Sequence, residues 1–113
     1  MEQSKRQIQV GGLIKEELSK VILLKFSGLV PGRLLTITNV RMSPDLGVAK
    51  VYLSIFPSTE GDKIIKEINK NVSKIRFELG NLIKNDVRRI PELVFYLDDS
   101  LDYIEKIENA LKS

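Results

Sequence analysis

The sequence predicts an α+β fold in which a three-stranded sheet carries its helices on one face. Three observations lead there: a long amphipathic stretch precedes two β-rich segments, the strongest helical periodicity of the chain follows them, and a short third β-rich run lies near the end. A chain of 113 residues with 42% apolar and 29% charged residues suits one compact domain over residues 1–113. No internal repeat, low-complexity stretch or long linker divides it.

Residues 4–26 read as a long helix, because Val10, Ile14, Leu18 and Val21 fall on one stripe, flanked by Leu13, Ile22 and Leu24. Gly11 and Gly12 each cost about 1 kcal/mol relative to alanine inside a helix. Either the helix start frays there or a neighbouring element packs closely. Ser27 to Arg33 holds two glycines and a proline and ends the helix. Leu34–Ser43 and Leu46–Phe56 read as strands; in the second, Ala49, Val51, Leu53 and Ile55 alternate with Val48, Lys50, Tyr52 and Ser54. Ser43-Pro44-Asp45-Leu46-Gly47 between them is a turn sequence, so an antiparallel hairpin is expected, and Pro57-Ser58-Thr59 breaks the second strand.

From Glu60 to Asn85, Ile64, Ile68, Val72, Ile75, Leu79 and Leu82 mark one helical stripe. Asn69 to Ser73 in its middle are mostly weak helix formers, which predicts a kink or a break into two helices. Arg88-Arg89-Ile90-Pro91 forms a connection, and Leu93–Leu97 reads as the third strand with Leu93, Phe95 and Leu97 on one face. Asp98, Asp99 and Ser100 then offer caps for a short C-terminal helix with Leu101, Ile104, Ile107 and Leu111 as its apolar side. Of the aromatics, Phe26, Phe56, Phe77, Phe95 and Tyr103 are expected in the core, and Tyr52 and Tyr96 at the strand surface.

The chain contains no histidine, cysteine or tryptophan. Ser-His-Asp and Cys-His catalysis, thiol redox chemistry, disulfide scaffolding and His/Cys zinc sites are therefore excluded. Asp45 and the Asp98-Asp99-Ser100 group have local explanations as turn and cap, so no metal site, no cofactor and no catalytic role is expected. No stretch approaches the roughly twenty apolar residues of a membrane span, and the N-terminal MEQSKRQIQ lacks the order of a signal peptide. The expectation is a whole, cytoplasmic chain with no membrane partner.

Charge is unevenly placed. Residues 1–91 hold 16 Lys and Arg against 9 Asp and Glu, a balance of +7, while the last 22 residues hold 2 against 6, a balance of −4. A basic body points to a polyanion. Lys63, Lys66, Lys70 and Lys74 lie within a sector of about 80° opposite the apolar stripe, where they suit either phosphates or a solvated face tempered by Glu67 and Glu78. Arg76, at the edge of the stripe, suits either a structural pair with Glu92 or another strand carboxylate, or an RNA contact. Arg88 and Arg89 are the stronger candidates, adjacent on an exposed connection with only Asp86 and Glu92 nearby, since the guanidinium fork matches phosphate. Arg6, Lys84, Arg41 and Lys50 are secondary candidates.

The order helix, strand, strand, broken helix, strand, short helix fits the KH domain of the second topological type, αββααβ, although the Gly-x-x-Gly loop of that fold occurs nowhere in the chain. The residues resemble a family with this order and without that loop, ribosome-binding factor A. The resemblance is carried by Arg6 running into LIKEELSKVIL at residues 13–23, by LLTITNVRMSPDLGVAKVYLSIF at residues 34–56, by Ile75-Arg76 with Leu79, and by VRRIPELVFYLDDSLDYIEKIENAL at residues 87–111. In the last stretch Arg88, Pro91-Glu92-Leu93, Phe95 and Asp98 to Ser100 stand where the family has its Arg, Pro-Glu-Leu, Phe and Asp-x-Ser elements. The chain departs from the pattern at Asn71-Val72-Ser73, where the family has Ala-x-Gly at a helix kink, and at Gln9, where a second arginine is frequent.

The resemblance implies a non-enzymatic assembly factor that binds the free or immature 30S small ribosomal subunit, contacts its 16S rRNA, and supports late maturation including processing of the RNA 5′ end. It further implies a role in growth in the cold and release by a ribosome-associated GTPase. A monomer is expected. The competing reading is a small α+β protein-interaction module whose positive charge is incidental.

Overall fold

Ser4 opens the first helix, α1 (Lys5–Lys25), with a capping box in which its hydroxyl accepts from the Gln7 N–H and its own N–H donates to Gln7 Oε1. The computed structural model describes residues 3–57 and 59–98. The expected C-terminal helix through Leu101, Ile104, Ile107 and Leu111, its Asp99 and Ser100 caps, and Tyr103 lie outside the described residues. Within α1, Val10, Ile14, Leu18, Val21 and Ile22 are buried as their spacing predicts, while Leu24 is exposed. A Cβ placed on Gly11 would lie 2.9 Å from the Val40 carbonyl oxygen. Close packing of helix on strand, and not fraying, accounts for this glycine.

A short 3-10 turn (Ser27–Leu29) leads to β1 (Leu34–Met42), which pairs antiparallel with β2 (Val48–Phe56). The pairing slips between Ile37 and Asn39, leaving Thr38 as a bulge whose hydroxyl reaches Asp98 Oδ2 at 2.5 Å. The hairpin turn is held by its own side chains: Ser43 Oγ accepts from the Gly47 and Val48 N–H groups, and Asp45 Oδ1 accepts from the Ser43 hydroxyl and the Gly47 N–H. Two helices follow, α2 (Gly61–Lys70) and α3 (Val72–Ile83), and β3 (Glu92–Leu97) returns parallel to β2 to complete a sheet of order β1-β2-β3. The arrangement is the expected αββααβ, with a mixed sheet.

The predicted break falls at Asn71, whose backbone leaves the helical region at φ −102° and ψ 12°. Its side-chain Nδ2 donates to the Glu67 carbonyl at 2.8 Å. That bond satisfies one of the carbonyls that the end of α2 orphans. The neighbouring Asn69 turns to the sheet: its Nδ2 donates to the Phe95 carbonyl and its Oδ1 accepts from the Phe95 N–H, both at 3.3 Å. An amide thus substitutes for a fourth strand at the outer edge of β3.

The core lies between the helices and one face of the sheet, where Ile14, Leu18, Val51, Leu53, Ile68, Ile75, Leu79 and Ile83 are almost wholly buried. Truncating such a residue to alanine costs about 2–5 kcal/mol. Three expected core residues are not there. Leu82 is 51% exposed and Ile83 takes its place, because the buried row of α3 follows the i,i+4 ridge Ile75, Leu79, Ile83, which is inclined to the helix axis where it packs on α1. Phe77 is 67% exposed, lying about 200° round the helix from Ile75. Phe56, at an even-numbered strand position, falls opposite the core side of β2 and is 62% exposed.

Candidate nucleic-acid interface

Helices α1 and α3 run in opposite directions: Lys25 Nζ meets Glu78 Oε2 at 2.9 Å at one end, and Arg6 Nη2 donates to the Asp86 carbonyl at 3.4 Å at the other. This pairing carries the first turn of α1 to the connection after α3. The connection is itself fixed from three sides. Arg76 donates through Nε to the Pro91 carbonyl at 2.9 Å and through Nη2 to the Ile90 carbonyl. Ile90 packs on Gly80, where a Cβ would come within 3.3 Å of its Cγ1. The Glu92 N–H donates to the Gly47 carbonyl at 2.9 Å, joining the start of β3 to the hairpin turn.

Held this way, Arg88 and Arg89 face the hairpin turn, and with Arg6 they line one cleft of about 560 Å³ together with Val10, Asp45, Leu46 and Val87. Arg89 Nη2 lies 3.2 Å from Asp45 Oδ2. The Asp45 carboxyl is held below its ordinary value of 3.8, first by the Ser43 hydroxyl and the Gly47 N–H and then by the Arg89 charge. Arg88 has no ion-pair partner among the described residues. Three arginines against one carboxylate make the cleft cationic, suited to oxyanions such as phosphate.

The other candidates fall elsewhere. Lys63, Lys66 and Lys70 stand exposed on α2, and Lys74 begins the outer face of α3. Lys63 pairs with Glu60 at 3.5 Å and Lys70 with Glu67 at 3.1 Å, so two of the four charges are locally compensated. Lys66, Lys74 and Lys84 have no ion-pair partner among the described residues. Arg76 acts on backbone carbonyls, not on Glu92 or another strand carboxylate. Arg41 and Lys50 are register partners on β1 and β2, apart from the arginine cleft. Sequence reasoning missed Asp45 as the partner of Arg89, since 44 residues separate them. It also missed the Tyr52–Tyr96 pair, stacked with ring centroids 5.4 Å apart across β2 and β3.

Among the described residues no group of three acidic, histidine or cysteine side chains is placed to hold a metal ion, and no helix is long and apolar enough to cross a membrane.

The sequence profile of ribosome-binding factor A matches residues 6–111. The chain belongs to the ribosome-binding factor A family. Ribosome-binding factor A of Christiangramia forsetii is 42% identical over 99% of this chain and 86% of its own length. That of Cytophaga hutchinsonii is 42% identical over 96% of this chain and 82% of its own length. The crystal structure of ribosome-binding factor A from Thermus thermophilus superposes with a TM-score of 0.69 at 23% identity, covering 80% of this chain and 94% of that one. A homology model of the Thermus thermophilus factor, as fitted into the cryo-EM map of a 30S complex, gives a TM-score of 0.64 at 23% identity, covering 87% of this chain and 97% of that one. The KH-like fold of ribosome-binding factor A is thus the fold of this chain.

Proposed function

We propose that this chain, acting as one KH-like unit over residues 1–113, is a monomeric, non-catalytic, cytoplasmic factor that binds the free or immature 30S subunit and its 16S rRNA. In this reading it assists late 30S maturation, including 16S rRNA 5′-end processing and growth in the cold, and a ribosome-associated GTPase releases it. The observation that carries the reading is the convergence of Arg6, Arg88 and Arg89 on one cationic cleft, in a chain whose family is that of a factor fitted into a 30S complex. Lys63, Lys66, Lys70, Lys74 and Lys84 extend the basic surface, and Arg76 positions the Arg88-Arg89 connection.

Phosphate contacts of this kind fix register and orientation on folded RNA and read no sequence by themselves. The mechanism is occupancy. By binding a late intermediate more tightly than the mature subunit, the factor moves the rRNA toward a processing-competent arrangement, since a ligand shifts an equilibrium only through differential affinity. Co-sedimentation of the full chain with immature 30S, mature 30S and complete ribosomes tests this. Preference for the immature particle is expected. Equal affinity for immature and mature particles removes the mechanism, and absence of binding to all three favours the protein-interaction module.

A further inference from the structure

Phe77 sits on the solvent side of α3, 67% exposed, in a chain with only four phenylalanines. A single exposed aromatic needs no explanation by itself; its surroundings are what give this one a use. It lines a cleft of about 450 Å³ between the end of α1 and the start of α3, with Phe26, Lys25, Ser73, Lys74 and Glu78. Phe26 is partly buried against the core and so forms a fixed wall. Lys25 is held by Glu78, whereas Lys74 has no ion-pair partner among the described residues.

We propose that Phe77 is a stacking platform for an unpaired nucleobase, with Lys74 taking the adjoining phosphate; this rests on the RNA-binding reading above. An exposed ring face beside an unpaired ammonium matches the two halves of a nucleotide, a flat π surface and an anion. The pattern continues along the helix. Ser73, Lys74, Phe77, Asn81 and Lys84 fall within a sector of about 100° that contains no carboxylate, and Lys74 and Lys84 are about 15 Å apart along the axis. Beyond Lys84 the chain enters the Arg88-Arg89 connection. A single strand lying on this face therefore runs from the Phe77 cleft toward the arginine cleft, meeting cations at both ends and the aromatic ring between. An apolar peptide would make use of the ring alone and leave the cations unmatched.

The test uses the full chain and a labelled single-stranded oligoadenylate decamer, with an abasic decamer of equal charge as control, titrated over a range of salt concentrations. Phe77→Ala is expected to weaken oligoadenylate binding roughly 5- to 100-fold with no change in the salt slope, and to leave abasic binding unchanged. Lys74→Ala is expected to lower the slope by about 0.7 on both oligomers. Phe77→Trp is expected to retain affinity and to show quenched fluorescence on binding, read without background because the chain has no other tryptophan. Phe77→Ala binding like wild type, while an Arg88→Ala/Arg89→Ala variant loses affinity, overturns the stacking site and leaves the RNA reading intact. No binding of either oligomer by the wild-type chain overturns the stacking site, and equal failure on 30S subunits removes the RNA reading with it.

Discussion

Arg89 reaches back over the hairpin turn to Asp45, Nη2 to Oδ2 at 3.2 Å, through space that Gly47 leaves open: a Cβ on Gly47 would lie 2.2 Å from that same nitrogen. A carboxylate thus occupies the guanidinium that a phosphate would otherwise take. Asp45→Asn keeps an oxygen for the Ser43 and Gly47 bonds and removes the competing charge. Because both partners are exposed, the pair holds Arg89 only weakly, so RNA affinity is expected to rise modestly, by roughly 1.5- to 5-fold at low salt. Filter binding of the variant and wild type checks it; unchanged or weaker binding by Asp45→Asn would show that Arg89 does not contact the RNA.

The carboxyl of Asp45 titrates below 3.8 because the folded turn favours its charged form. A depressed folded pKa means that its stabilising contribution is present above the unfolded value and is lost as pH falls through the lowered one. Carbon-detected NMR titration is expected to place the midpoint below 3.8 in the wild type. Ser43→Ala should raise it more than Arg89→Ala, since the Ser43 hydroxyl is the larger influence. The reverse order would make the ion pair, not the turn, the source of the shift.

Arg76 is predicted to support binding without touching RNA. Its guanidinium clamps the Ile90 and Pro91 carbonyls, and its exposure limits the cost of Arg76→Ala to about 1–2 kcal/mol of stability. Faster amide exchange through residues 88–92 and weaker 30S binding should accompany that change. Arg76→Lys should rescue little, because one ammonium does not reproduce a two-pronged donor. Full rescue by lysine would show that charge alone matters at this position.

The Asn69 amide covers both polar groups of Phe95 on the outer edge of β3. Asn69→Ala leaves that edge unpaired and is expected to cost roughly 1–2 kcal/mol in denaturant unfolding, with faster exchange of the Phe95 amide. Asn69→Asp retains the acceptor, loses the donor and sets a carboxylate against a carbonyl, so it should be no better than alanine. Wild-type exchange at the Phe95 amide in Asn69→Ala would contradict the edge-pairing role.

The strands and the helix break were legible because their signals are local. Alternation across Ala49 to Ile55 and the weak helix formers around Asn71 each act within a few residues. The arginine cleft was not legible, because it depends on the antiparallel packing of α1 and α3 and on β3 entering beside the hairpin turn, which bring Arg6, Asp45 and Arg88 together from three parts of the chain. Leu82 and Phe77 mark the limit of periodicity. It locates a stripe to within a residue, whereas the inclined contact of α3 with its neighbours selects Ile83 over Leu82, and hydrophobicity alone does not tell an exposed Phe77 from a core one.

The salt dependence of binding to free 30S subunits, compared between the wild type and an Arg6→Ala/Arg88→Ala/Arg89→Ala variant, tests the arginine cleft as the RNA-binding site. If the cleft holds RNA phosphates, log K falls with log salt for the wild type, and the variant's slope is shallower by roughly 2, near 0.7 for each phosphate that an arginine no longer neutralises. Parallel slopes, with affinity the same at every salt concentration, would take these three arginines out of the interface.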